Sequence, residues 1–268
     1  MKRYLPVFEE IYLKFNKREF VSPDPLQFLY DYPDIRDREI AGLIASSLAY
    51  GKVQQILKSV SRILLPLGKN PHDILISCGD SFLEKEYAGF KHRFTTGSEM
   101  ISLLKGMRQL ILQYGSIEDA LCDKINGEEK EDLISGISCF VKELGKAGGL
   151  MRSSLLVCPL RKSACKRFFL FLKWMVREDQ VDPGGWSRID PSRLIMPVDT
   201  HVYNISRVLD ITRRKSVDLK TALDITSAFQ SISPEDPTKY DFALTRFGIR
   251  PDMDVCELFQ ICGCESTT

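Results

Sequence analysis

The chain has 268 residues, 44% of them hydrophobic, which is enough to bury a substantial core. Lysine and arginine (37) nearly balance aspartate and glutamate (36), and the formal net charge of +1 excludes a global field for nucleic acid or membranes; any polyanion site must be a local patch. No run approaches the ~18 apolar residues of a membrane span, and the start, "MKRYLPVFEEIYLKF", lacks the apolar core of a signal peptide, so a soluble cytoplasmic protein is expected.

Helical spacing of apolar residues dominates the chain. In order it marks "DPLQFLYDY" from Asp24, then "DREIAGLIASSLAYGKVQQILKSVSRILLPLG" as one stretch ending at Gly68, with Pro66 nearby. "HDILISC", "SEMISLLKGMRQLILQYG", "SIEDALCDKI" and "KEDLISGISCFVKELGKAGG" follow the same rule. Several of these open on Asp or Ser and close on Gly, as helix ends do. The best strand candidate, "LLV" at 155–157, is too short to build a sheet. "GKNPHD", "GKAGG" and "DPGGW" are turns, and no repeat or low-complexity segment separates domains. The prediction is an all-α fold of about ten helices.

Eight cysteines, at 78, 122, 139, 158, 165, 256, 262 and 264, fit reduced thiols better than a disulfide frame. "CELFQICGC" gathers Cys256, Cys262 and Cys264, but a closed metal site usually takes four ligands and no CxxC pair occurs. Apolar packing is expected there, with no metal and no cofactor.

"CPLRKSACKRFFLFLKWMVREDQVDPGGW" is apolar at nearly every position from Phe168 to Val176, which predicts a helix buried on most sides. With Ser163 as N-cap, Lys166 falls in the first turn, where the partial positive charge of the helix end disfavours a cation. Arg161, Lys162, Lys166 and Arg167 crowd this one helix start. Two readings stay open: a solvated basic edge with Lys166 snorkelling from the core, or an anion site made from the helix N-terminus and basic side chains.

Further on, "IMPVDTHVYNISRVLDI" places Val198, Val202, Ile205 and Leu209 on one helical face. Pro197 keeps the preceding residue out of the helical region, so Asp199 is the predicted N-cap. Capping alone is sufficient to explain an aspartate at that position.

The order of a turn, a lysine opening a buried helix, a loop, and "PVDTHV" opening another helix resembles the helix-hairpin-helix (HhH-GPD) DNA glycosylase superfamily, particularly its 8-oxoguanine glycosylase branch. More closely, "ACKRFFLFLKWMVR", "MPVDTHV" and "DPTKYDFALTRFGI" resemble a family of bacterial and archaeal proteins grouped with these glycosylases but without an assigned activity. The resemblance implies a two-lobed helical fold with its active-site cleft between lobes: a barrel lobe over 24–181 that includes the hairpin, and a second lobe from 1–23 plus 182–268. It implies Lys166 as the residue attacking the sugar C1′, Asp199 as the assisting carboxylate, and His201 as a phosphate contact. The partner implied is double-stranded DNA with a damaged base (an oxidised purine fits the branch) or an abasic site, bound by a monomer associated with the nucleoid.

The family's hairpin carries a Leu-Pro-Gly-x-Gly turn, whereas "VCPLRKSACK" has no glycine. Arg161 and Lys162, with Arg167, are therefore expected to take over the DNA contacts. The long "DQVDPGGWSRIDPSR" between Lys166 and Asp199 is expected to loop out, and the four-cysteine iron–sulfur pattern of some relatives is absent. An extruded base needs a pocket with apolar or aromatic faces; Leu170, Trp174 and Trp186 are the candidates, with Gln54 or Gln55 to bond a base edge. Core packing and a solvated helix face are the alternatives for these residues. Two other functions remain open: a DNA-binding protein of this fold that does not cut, and a metal-dependent hydrolase in which His72 or His92 joins Asp199 and His201.

Overall fold

The computed structural model describes residues 1–150, 153, 155–161, 163–250 and 252–263. The fold is all-α. Among the described residues the helices are α1 (Leu5–Phe15), α2 (Ile35–Ser47), α3 (Val53–Leu67), α4 (Pro71–Ser77) and α5 (Asp80–Tyr87). A two-stranded hairpin follows, β1 (Lys91–His92) and β2 (Thr95–Thr96), with Lys91 opposite Thr96. Then come α6 (Gly97–Tyr114), α7 (Ile117–Cys122), α8 (Lys130–Ala147), α9 (Lys166–Val176), α10 (Thr200–Val208), α11 (Leu219–Gln230), α12 (Asp241–Ile249) and α13 (Val255–Ile261). No helix is long and apolar enough to cross a membrane.

Local chemistry sets many of these boundaries. The carboxylates of Asp34, Asp218 and Asp254 accept backbone N–H groups at the starts of α2, α11 and α13, and Thr96 with Glu99 forms a capping box on α6. The stretch ending at Gly68 is two helices, not one. It breaks between Ser47 and Val53 at a bend that contains Gly51, whose φ of 100° is costly for any residue with a side chain. The segment from Asp24 forms a 3₁₀ helix, Pro25–Asp31, with Asp24 accepting the Leu26 N–H. Residues 155–157 form no strand.

Helix α6 packs on α5, α7 and α8, while α2 packs on α9 and on the 3₁₀ turn before it. The chain start returns to the far end of the sequence, because α1 lies on α12, which also receives α10 and α13. Phe8 of α1 sits 5.6 Å from Tyr240 and 5.8 Å from Phe229, ring centre to ring centre. Helix α9 is buried on most sides, with Phe168, Phe169, Phe171, Leu172, Trp174, Met175 and Val176 all in the core. Each such side chain contributes about 2–3 kcal/mol of burial, so α9 is an anchor of the fold.

The segment 179–193 does not loop out. Gly184 N–H donates to the Trp174 carbonyl and Trp186 N–H to the Met175 carbonyl, which folds the "DPGGW" turn back over the end of α9. Arg38 of α2 donates to the carbonyls of Pro183 and Gly184. Trp186 is buried edge-on against Phe171, and its indole N–H donates to Glu39 at 3.2 Å. Glu39 also accepts the Ile117 N–H at 2.7 Å, so one buried carboxylate joins α2, the start of α7 and the turn. Burial pushes its pKa up to about 7.

Candidate functional site

The starts of α9 and α10 meet. Lys166 is the first residue of α9, and Asp199 is the N-cap of α10. The Asp199 carboxylate divides its work between its two oxygens. Oδ1 accepts the Val202 N–H at 2.9 Å, while Oδ2 lies 3.4 Å from the Lys166 ammonium. Both side chains stay partly open to solvent, Lys166 at 33% and Asp199 at 17%.

The helix start itself differs from the expectation. Cys165, not Ser163, occupies the N-cap of α9, with a left-handed φ of 47° and no side-chain cap. The Ser163 hydroxyl instead accepts the Cys165 N–H at 3.3 Å, just ahead of the helix.

Two cavities, of about 430 and 400 Å³, flank the pair, and Ala49, Tyr50, Lys166, Asp199 and Thr200 line both. These volumes fall in the range of small-molecule sites. Ala49 and Tyr50, in the bend between α2 and α3, are therefore on the shared rim, and Gly51 beside them lines the larger cavity. In the larger cavity, Lys166, Leu170, Lys173 and Trp174 follow the i, i+4, i+7, i+8 spacing, so α9 turns one stripe towards it. Opposite stand Asp241, Phe242, Thr245, Arg246 and Gly248 of α12, together with His201. The His201 ring lies directly on Gly248, where any Cβ would overlap Nδ1.

Lys173 was not singled out from sequence. It is almost fully buried, 2.9 Å from Asp241 and 3.6 Å from Asp182. Burial alone would lower its pKa, but the carboxylates of Asp182 and Asp241 outweigh this and hold it above the ordinary value. Arg177 extends the network: it pairs with Asp182, with Asp179 at 2.8 Å and with Asp236 at 2.7 Å. Arg246 meets Asp24 at 3.0 Å, so the cavity wall carries a second ion pair. The signal available in sequence was a lone lysine inside "FFLFLKWMV", since a buried charge must be paired. Its acidic partners are too far along the chain to be assigned from the pattern.

Other candidates lie elsewhere. Trp186 is packed on Phe171 and does not line either cavity. Gln54 and Gln55 are exposed on α3 and line neither cavity, although Val53 and Ile56 beside them line the larger. Arg167 turns inward: its guanidinium donates to the Ser47 carbonyl at 2.7 Å and lies 5.0 Å from the Tyr50 ring, where burial lowers its pKa. Arg161 lies in a short 3₁₀ turn, Pro159–Arg161; its side chain, Lys162 and Cys264 fall outside the described residues. Cys256 is exposed and Cys262 half-buried.

The imidazoles that the hydrolase alternative needs are engaged elsewhere: the His72 ring bonds Asp73 while its backbone N–H donates to the Asp37 carboxylate, and the His92 ring bonds Ser59 and the Tyr50 carbonyl. Among the described residues no group of three His, Cys, Asp or Glu side chains converges.

A lysine amine against a helix-capping carboxylate, in a cleft with aromatic and ionic walls, is an arrangement suited to nucleophilic attack on a carbon that develops positive charge. The chain belongs to the family described as "protein of unknown function (DUF2400)", whose model matches residues 24–250. No curated protein and no solved structure matches it.

Proposed function

We propose that this protein is a DNA base-excision glycosylase, with a lyase step through a lysine Schiff base. The observation that carries the reading is the 3.4 Å approach of the Lys166 amine to the free oxygen of the capping Asp199, at the junction of two cavities. In this reading the helices form two lobes, Lys166 comes from the barrel lobe and Asp199 from the other, and the larger cavity receives a base swung out of duplex DNA. Trp174 and Leu170 supply apolar walls for the base, and the Lys173–Asp241 pair offers a donor and an acceptor to its edge.

The neutral Lys166 amine attacks C1′, the glycosidic C1′–N bond breaks, and the base departs with the bonding electrons and takes up a proton. Positive charge develops at the sugar during departure, and the Asp199 carboxylate stabilises it. Loss of a proton from nitrogen and opening of the C1′–O4′ bond, with O4′ taking up a proton, then give the Schiff base; removal of a C2′ proton forms the C2′–C3′ double bond and expels the 3′ phosphate with the electrons of the C3′–O3′ bond. The test is borohydride reduction in the presence of duplex DNA bearing an abasic site. The expected result is a covalent protein–DNA adduct that Lys166→Gln abolishes while DNA binding persists. A parent chain that binds this DNA but never traps it would leave the non-cutting, DNA-binding alternative in its place.

A further inference from the structure

The sequence 155–165 ahead of α9 has no glycine to bring its backbone close to a phosphate, and Arg167 is folded inward on Ser47 and Tyr50. A different cationic segment lies next to the start of α9. The loop from α10 to α11, "TRRKSVD" after Ile211, forms an isolated antiparallel bridge just ahead of it, Asp218 against Ser163. Val217 of this loop lines the same cavity as Lys166 and Asp199. Lys215 is two residues away, so its Cα lies within about 7 Å of that of Val217.

The loop is held by its backbone while its charges face out. The Tyr203 hydroxyl and the Arg207 guanidinium both donate to the Arg214 carbonyl, at 2.8 and 3.4 Å. Arg207, Arg213 and Lys215 are exposed. Arg213 pairs with Asp210 in a solvated contact, its side chain 85% exposed, and such pairs exchange readily for another anion because they are worth at most about 1 kcal/mol. Arg207 and Lys215 have no acidic partner at ion-pair distance among the described residues. A run of cations with a fixed backbone, incomplete neutralisation and a position at the cavity edge differs from an ordinary solvated helix face.

We infer that Arg207, Arg213 and Lys215 form a phosphate-binding track that holds the DNA backbone as it enters the Lys166–Asp199 cleft, in place of the hairpin glycines. The inference rests on the DNA reading above and names a contact surface that the cleft itself does not supply. Its ligand class is a polyanionic phosphodiester strand, bound without regard to sequence.

The experiment is fluorescence anisotropy of a labelled abasic-site duplex across a salt series, with the Arg207→Gln/Arg213→Gln/Lys215→Gln variant, the parent, and Lys85→Gln on the exposed face of α5 as a control for the effect of one charge lost away from the cleft. The variant is expected to bind roughly a hundredfold more weakly, and to lower the slope of log affinity against log salt by about three units, one for each lost phosphate contact. Lys85→Gln should match the parent, and the triple variant should melt within a few degrees of it, because Arg207 gives up only a long 3.4 Å bond to the Arg214 carbonyl while the Tyr203 hydroxyl keeps its own at 2.8 Å. If the parent binds and the triple variant keeps the parent's affinity and slope, the track is overturned while the glycosylase reading stands. A loss of slope in Lys85→Gln of about one unit, a third of the variant's, would also overturn it, by reducing the effect to net charge. A parent that neither binds nor traps abasic DNA overturns both readings together.

Discussion

Asp199 illustrates how one side chain can serve structure and chemistry at once. Its Oδ1 satisfies the Val202 N–H at the start of α10, and its Oδ2 faces Lys166. Asparagine caps helices about as well as aspartate, so Asp199→Asn separates the two roles. The melting temperature should barely move, because the cap survives and the half-open ion pair with Lys166 contributes little. Base excision measured in single turnover should fall by about a hundredfold or more, the scale of a lost charge opposite a developing cation. Unchanged excision in a fully folded Asp199→Asn protein would leave capping as its whole role.

Among the elements, α12 places one wall of the larger cavity, and Gly248 sets how closely it approaches α10. Glycine inside a helix normally costs up to about 1 kcal/mol relative to alanine, so Gly248→Ala on an open surface would stabilise. Here the added methyl would overlap the His201 ring. Either His201 swings out of the cavity or the two helices separate, and overpacking of this kind costs about 1–3 kcal/mol. Chemical denaturation should therefore show a loss of stability in Gly248→Ala. A gain would mean that the close approach of α12 to His201 is not a constraint on the fold. The same helix supplies Asp241 to Lys173 and Arg246 to Asp24, so displacing it also disturbs both ion pairs of the cavity wall.

At the scale of the whole molecule, Glu39 is the buried junction of three segments far apart in sequence. Its pKa rises from an ordinary 4.5 to about 7, chiefly because burial penalises the charged carboxylate, against the pull of the Ile117 and Glu118 N–H groups and the Trp186 indole. A folded-state pKa above the unfolded one means that the folded chain holds the proton more tightly. The resulting stabilisation is complete below about pH 4.5 and is lost as the pH rises through about 7, and it amounts to about 3 kcal/mol when fully developed. Glu39→Gln carries no such proton. The stability difference between parent and Glu39→Gln, followed by denaturant titration from pH 5 to 8.5, should shift against the parent as pH rises. A difference that stays flat over that range would remove Glu39 as the titrating group.

What the sequence determined by itself is what acts over one helical turn. The 3.6-residue spacing and the capping side chains predict α6, α7, α8 and the buried run of α9, and "PVDTHV" marks Asp199 as the first cap of α10. Lys166 and Asp199 stand out from the sequence because each sits oddly in its local setting, a cation at a positive helix end and an acid in an apolar stretch. Tertiary structure decided everything that depends on approach between distant segments. It brought Lys166 to 3.4 Å from Asp199, turned Arg167 inward, took Trp186 into the core, left Gln54 exposed, and seated Lys173 between Asp182 and Asp241. It broke the stretch before Gly68 at Gly51 and turned that bend into the cavity rim. Periodicity tells which face of a helix is buried but not what lies against it, and a buried charge reveals that it needs a partner without revealing which one. Those choices are made by packing across the fold, where residues separated by scores of positions compete for the same few ångströms.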